Sequence, residues 1–299
     1  MLSVVIPATD HPPTLERCLA ALERTGDVGE VEVVREPAGA GPAAARNRGA
    51  ARGSGEVLVF VDSDVEVHPD ALRRLRDALE ADPGLDAVFG AYDEWPAARS
   101  CVSRFRNLLH HHIHVSSPGS ASTFWAGLGA IRRAAFDASG GFDERRFPRP
   151  SIEDVELGMR LRAAGARIEL VPAARGTHLK RWTLGSMLRT DFAARGAPWV
   201  ALMLERGRAG SSLNLGLRQR LAAAAAVVTV LAAAARRPRV AAAAIVVMAL
   251  PNARFYALLA RNGGPRLVVA GLPLHLAHHL AAAASVPAGL LLWLRRGRP

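Results

Sequence analysis

Cysteine and aromatic residues are scarce in this 299-residue chain, which has two Cys, two Tyr, five Trp and nine Phe. Cys18 and Cys101 lie far apart and neither belongs to a C-x-x-C pair, which excludes a disulfide framework or a cysteine zinc site and fits a reducing compartment. No stretch interleaves aromatics with Arg or Lys, so the stacking platforms of single-strand nucleic-acid binders are missing and no nucleic acid partner is expected. The opening MLSVVIPATD lacks the basic and long apolar regions of a secretory signal, and the N-terminal part is expected to stay in the cytoplasm.

Positive charge and aliphatic bulk are abundant. A formal charge of +11 accompanies 50% hydrophobic residues, and the Arg residues cluster beside apolar runs, which suits an anionic membrane surface. The composition changes near Leu217: short β-branched runs alternate with helical patterns before it, and long Ala, Leu and Val stretches follow it. The polar segment ERGRAGSSLN marks a boundary that gives residues 1–205 to a first domain and 206–299 to a helical membrane-associated region. That region has uncharged runs at 221–235, 240–253 and 267–294. Only the last reaches the roughly 20 apolar residues that a membrane helix needs, and its Pro273 and Pro287 are better tolerated in a membrane than in water. A soluble alanine-rich bundle is the alternative, and Arg236–Arg239 together with the RRGR tail leave the topology open.

In the first domain, Ser3–Pro7, Glu30–Val34 and Val57–Val61 read as strands. Thr14–Leu22 and Asp70–Leu79 read as amphipathic helices, with Leu15, Leu19 and Leu22, then Leu72, Leu75 and Leu79, facing inward. Strands alternating with helices predict an α/β fold with a doubly wound, mainly parallel sheet, whose ligands bind beyond the carboxyl ends of the strands. The third strand ends in Asp62-Ser63-Asp64. Strand alternation would place both carboxylates on one side, where a hard divalent ion such as Mg²⁺ or Mn²⁺, shared with a diphosphate, would remove their repulsion. A solvated acidic turn is the plainer alternative.

Four segments in order, SVVIPATD, GPAAARNRGAARGSGEVLVFVDSDVEVHP, FWAGLGAIRRAAFDASGGFDE and EDVELGMRLRAAGARIELVP, resemble the family 2 glycosyltransferases of GT-A fold between about Leu2 and Trp199. The resemblance implies that Pro7, Ala8 and Asp10 cradle the nucleotide base and that Arg46 and Asn47 lie near the nucleotide. It makes Asp62, with Ser63, and Asp64 the residues that bind diphosphate and metal, with His178 completing the metal site. Trp125, Ala126 and Gly127 would line the sugar and acceptor pocket, with Asp143 near the acceptor. Asp154 would be the catalytic base, with Glu153 beside it, although Ser151 and Asp154 also read as a capping box at the start of a helix. The Asp-rich turn that many relatives carry after the second strand is missing, and Glu36 is a weak substitute for it.

Two segments stand outside that pattern. In the run of His110, His111, His112 and His114 adjacent histidines do not share a helical face and no carboxylate or Cys lies at ligand spacing, so contact with substrate or lipid phosphate is favoured over a metal site. His178–Phe192 mixes basic and apolar residues, as an interfacial helix or a helix packed on the sheet would. The function expected from all of this is metal-dependent, inverting transfer of a sugar from a nucleotide diphosphate sugar to a lipid or lipid-linked acceptor at the cytoplasmic face of the inner membrane. A catalytically silent membrane protein that uses the same fold for binding is the alternative.

Overall fold

The structure, a computed structural model, describes residues 1–9, 12–25, 30–34, 41–207 and 216–296. Asp10, Glu36 and most of the ERGRAGSSLN segment lie outside the described residues. The chain forms two compact units, residues 1–97 with 113–180 and residues 98–112 with 181–299. The division between them thus precedes the composition change at Leu217, because one helical stretch and everything beyond Lys180 pack with the aliphatic helices.

The first unit is built from β1 (Leu2–Pro7), α1 (Leu15–Glu23), β2 (Glu30–Val34), α2 (Gly41–Arg52), β3 (Val57–Val61), β4 (Val65–Val67), α3 (Ala71–Ala81) and β5 (Ala87–Tyr92). After α4 (Cys101–Val115), which is shared with the second unit, come β6 (Gly119–Ser120), β7 (Leu128–Arg132), α5 (Arg133–Ser139), α6 (Glu153–Ala163) and β8 (Ile168–His178). The sheet runs β2-β1-β3-β7-β5-β8-β4, with β6 on β8. β1 is parallel to β2 and β3, β7 runs antiparallel between β3 and β5, and β5 is parallel to β8. The carboxyl ends of β1, β3, β5 and β8 therefore share one edge, where an α/β sheet opens to ligand. The sheet is mixed, with the expected parallel core β2-β1-β3 at one side.

Burial explains these elements. β1 and β5 are buried along their whole length, as a sheet covered on both faces requires. In α3, Leu72, Leu75 and Leu79 recur at helical spacing and are fully buried. Part of the basic charge is used inside the fold. Arg133 donates to the carbonyls of Gly55, Ala50 and Gly53 at 2.6, 2.8 and 2.7 Å, satisfying acceptors around the C-terminal end of α2, and Arg132 does the same for Leu85 and Leu79 at 2.7 Å each.

The second unit continues with α7 (Leu184–Arg189), a π-helical turn at Thr190–Gly196, α8 (Ala197–Glu205), α9 (Leu217–Ala234), α10 (Pro238–Ala249) and α11 (Ala253–Arg296). The stretches Leu217–Ala234 and Pro238–Arg296 are long and apolar enough to cross a membrane, by length and composition only. α10 alone, at 12 residues, rises only about 18 Å and is too short to span a bilayer core. α11 is broken at Gly264, whose φ of 63° and ψ of −167° leave the helical region. Beyond Lys180 the His178–Phe192 segment belongs to this unit: Trp182 and Met187 are buried while Leu184 and Phe192 stay exposed.

A buried ion pair organises this unit. Asp191 Oδ1 lies 2.9 Å from Arg106 Nη2, Asp191 Oδ2 lies 2.8 Å from His278 Nδ1, and the Arg106 guanidinium covers the Trp182 ring at 5.6 Å. Burial pushes the Asp191 carboxyl up, but Arg106 and His278 outweigh it and hold the pKa at about 2 against an ordinary 3.8. A carboxyl lowered on folding adds stability that is complete above its unfolded pKa and disappears as pH falls through the folded one. Acid titration should thus remove about 2 kcal/mol from this unit between roughly pH 4 and pH 2. Asp191→Ala, which takes the carboxylate away from the buried Arg106, should cost roughly 3–5 kcal/mol and abolish that acid transition, as read by thermal unfolding in detergent.

Candidate active site

The site forms where β3 turns into β4. Asp62, Ser63 and Asp64 lie in a turn closed by the Val65 N–H donating to the Asp62 carbonyl at 2.9 Å, not on the extended strand that their spacing suggested. Strand alternation therefore does not govern them, and each carboxylate takes its own partner. Arg46, on α2 and only 4% exposed, donates from Nη2 to Asp62 Oδ1 at 2.6 Å and from Nη1 to Glu153 Oε1 at 2.9 Å. Asp64 Oδ2 instead faces His178 Nε2 at 3.7 Å. The antiparallel pairing of β4 with β8 sets this contact, because Val65 sits opposite His178 and the Leu179 N–H donates to the Asp64 carbonyl at 2.8 Å.

The electrostatics differ accordingly. Burial raises the Asp62 pKa, with Asp64 and Glu153 adding to it and Arg46 opposing. Burial acts in the same direction on Asp64, but His178 and Lys180 win and its pKa is lowered. Burial would weaken the charge on Arg46; Asp62, Glu153 and Asp154 more than reverse that, so it is a permanent cation.

β7 carries the third part of the site. Its antiparallel register on β3 brings Gly127 opposite Asp62, whose N–H donates to the Gly127 carbonyl at 3.1 Å. One residue earlier, the Ala126 N–H donates to Asp154 Oδ2 at 3.2 Å, fixing the carboxylate at the start of α6 to the same loop. Asp154 Oδ1 also accepts the Val155 N–H at 2.8 Å. Ile152 and not Ser151 stands at the N-cap of α6, with no side-chain cap of its own, and Glu153 Oε2 accepts the Ser151 N–H at 2.9 Å. Glu153, 5% exposed, is the structural counter-ion of Arg46.

Trp125 is buried, edge-on to Tyr92 at 4.8 Å and to His114 at 5.1 Å, and Tyr92 stacks on His178 at 4.2 Å with 17° between the planes. His114 also lies 3.2 Å from the Gly90 carbonyl through Nδ1, and His111 and His112 are buried too, so the histidine run packs inside the protein and is not spread on a phosphate-binding surface.

The other expected residues are dispersed. Pro7 and Ala8 lie at the buried carboxyl end of β1. Both ends of the Asn47 amide clamp the Phe142 backbone at 2.9 Å. Asp143 is an exposed turn residue whose Oδ1 accepts the Arg146 N–H at 3.0 Å. The sequence reading missed Tyr92, because one of only two tyrosines, inside a buried strand, carries no motif.

Among the described residues, no group of three His, Cys, Asp or Glu side chains converges as a metal cage. A hard divalent ion bound with a diphosphate commonly uses one or two protein ligands and takes the rest from phosphate and water, and the oxygen and nitrogen donors of Asp64 and His178 fit that need. Cys18 lies below this turn, its Sγ 3.6 Å from the Asp62 carbonyl, and burial followed by the two aspartates pushes its thiol up to about 12. Iodoacetamide at pH 8 should therefore label the exposed Cys101 and leave Cys18 unlabelled until denaturant is added, as read by peptide mass spectrometry. A Cβ at Gly127 would come within 2.5 Å of the Trp125 ring, so Gly127→Ala should lower stability by about 1–3 kcal/mol in thermal unfolding.

Comparison with known proteins places this geometry. Residues 25–140 match the family model described as glycosyl transferase family 2. The chain is 31% identical over 175 residues to the pre-mycofactocin glycosyltransferase of Mycobacterium tuberculosis, covering 56% of this chain and 35% of that one. It is 32% identical over 135 residues to the N-acetylglucosaminyl-diphospho-decaprenol L-rhamnosyltransferase of the same organism, covering 44% and 39%. The chain thus spans between a third and two fifths of the length of these two relatives. A solved structure, the mannosyltransferase PcManGT from Pyrobaculum calidifontis in complex with GDP-Man and Mn²⁺, superposes with a TM-score of 0.55 at 18% identity over 96% of this chain and 86% of that one, and shares its fold. Residues 25–140 are thus similar to glycosyl transferase family 2, and the chain shares the fold of a solved glycosyltransferase structure.

Proposed function

We propose that the protein transfers a sugar, with inversion, from a nucleotide diphosphate sugar to a lipid or lipid-linked acceptor at the cytoplasmic face of a membrane. The observation that carries this reading is the gathering of Asp64, His178 and Asp154 at the edge where the parallel strands end, with Asp154 tied to the 125–127 loop beside the Asp62 turn.

In such a transfer the acceptor hydroxyl bonds to the anomeric carbon, the bond from that carbon to the diphosphate breaks, and the hydroxyl proton passes to a base. Asp154 is that base. The backbone N–H groups of Ala126 and Val155 hold its carboxylate in place. Arg46 binds Asp62 and Glu153 and sets the turn that faces the donor. Asp64 and His178 would hold a divalent ion, which when bound would offset the charge developing on the diphosphate. The Mn²⁺ and GDP-Man named with PcManGT support this use of the fold, and the decaprenol-linked substrate in the name of one relative supports a lipid-linked acceptor. The aliphatic stretches beyond Leu217 support a membrane setting.

Purified full chain should hydrolyse or transfer from a UDP- or GDP-sugar only with Mg²⁺ or Mn²⁺ present. Asp154→Asn should slow turnover about 10²–10⁴-fold while leaving nucleotide binding intact. Asp64→Ala should weaken Mn²⁺ binding, measured directly by electron paramagnetic resonance. Nucleotide binding without turnover in the wild type would favour a catalytically silent binding protein; turnover unchanged in both variants would remove these residues from the site.

A further inference from the structure

The tryptophan that its motif assigned to the sugar pocket, Trp125, is buried, yet the sheet unit presents another tryptophan to solvent. Trp95 is 56% exposed, and apart from Met1 it is the only exposed large hydrophobic side chain among the described residues of that unit. An exposed indole forgoes the burial that normally makes tryptophan a core residue. The chain around Trp95 is fixed on both sides. Its N–H donates to Asp93 Oδ1 at 2.8 Å, the Asp93 N–H donates to the Gly176 carbonyl at 2.9 Å, and the Ala97 N–H donates to the His178 carbonyl at 3.0 Å. Asp93 is 3% exposed, and its Oδ2 also engages Thr177 Oγ1 and, at 2.9 Å, His68 Nε2.

One buried carboxylate thus fixes the backbone at the exposed Trp95 and binds a partly exposed imidazole, whose side chain is 37% exposed, on a common support. That support follows the carboxyl end of β5, the edge that also bears Asp64 and His178. An exposed aromatic face and a polar ring raised from one support offer what a pyranose needs: a surface for its C–H face and a hydrogen-bonding group for a hydroxyl. A membrane contact would use the same indole, but it would give no role to the imidazole fixed on the same carboxylate.

We propose that Trp95 and His68, both positioned by Asp93, form a recognition site for a pyranose ring of the acceptor. This rests on the glycosyl-transfer reading above. Saturation-transfer NMR on the full chain in a non-glycosidic detergent would use the methyl glycosides of glucose, galactose, mannose, rhamnose and N-acetylglucosamine as probes. At least one glycoside should bind the wild type. Trp95→Ala should weaken it by at least about fivefold, Trp95→Phe should retain part of it, and His68→Gln should weaken it less. Donor hydrolysis without acceptor should be unchanged in Trp95→Ala. Equal glycoside signals in wild type and Trp95→Ala, or none in the wild type, would overturn the proposal. So would a Trp95-dependent blue shift on phosphatidylglycerol vesicles that no glycoside competes away, which makes the indole a membrane contact. Trp95-dependent glycoside binding in a protein that neither binds nor hydrolyses a nucleotide sugar would sink the transferase reading and leave the sugar site standing.

Discussion

A single buried guanidinium, that of Arg46, fixes the arrangement of the site. It joins the turn after β3 to the start of α6, and it does so from α2, so three elements distant in sequence are set by one side chain. Charges this deep are tolerable only when each is compensated, and the planar fork of arginine can answer two carboxylates at once where an ammonium would offer a point charge. The geometry around Asp62 is therefore a property of the ion network as much as of the sheet.

The network also separates two carboxylates that sequence makes look equivalent. Asp62 is bound to a permanent internal cation, whereas Asp64 faces the imidazole of His178. The pair has one structural member and one member with capacity to spare. Asp154 is placed differently again, by amide N–H groups of the 125–127 loop and its own helix. Buried Trp125 gives that loop its shape and leaves no room for a side chain at Gly127.

Much of the first unit was legible because its strands and helices are strongly patterned. The runs at Ser3–Pro7, Glu30–Val34 and Val57–Val61 fall within or match observed strands, and the leucines of α3 face inward as their spacing requires. The antiparallel strand β7 and the edge strand β4 were not, since a short strand such as Leu128–Arg132 has no periodicity of its own and is defined by the neighbours it pairs with. At the site, motif order pointed to Asp62, Asp64, Asp154 and His178. The pairings inside it were illegible, because whether an arginine meets Asp62 or Asp64 is decided by a turn and not by spacing. Asn47 and Asp143 show the same limit: polar residues in a motif were in fact serving backbone groups nearby.

The break at Gly264 bears on the membrane region proposed above. Hydrocarbon offers no partner to backbone groups released by a departure from helical geometry, so such a departure belongs at the level of headgroups or water. The neighbouring Arg261, Asn262 and Arg266 suit that level. The break would then act as a depth gauge, leaving the residues after it, from Pro265 to Arg296, as the segment whose length of roughly 48 Å exceeds the bilayer core and must lean or protrude.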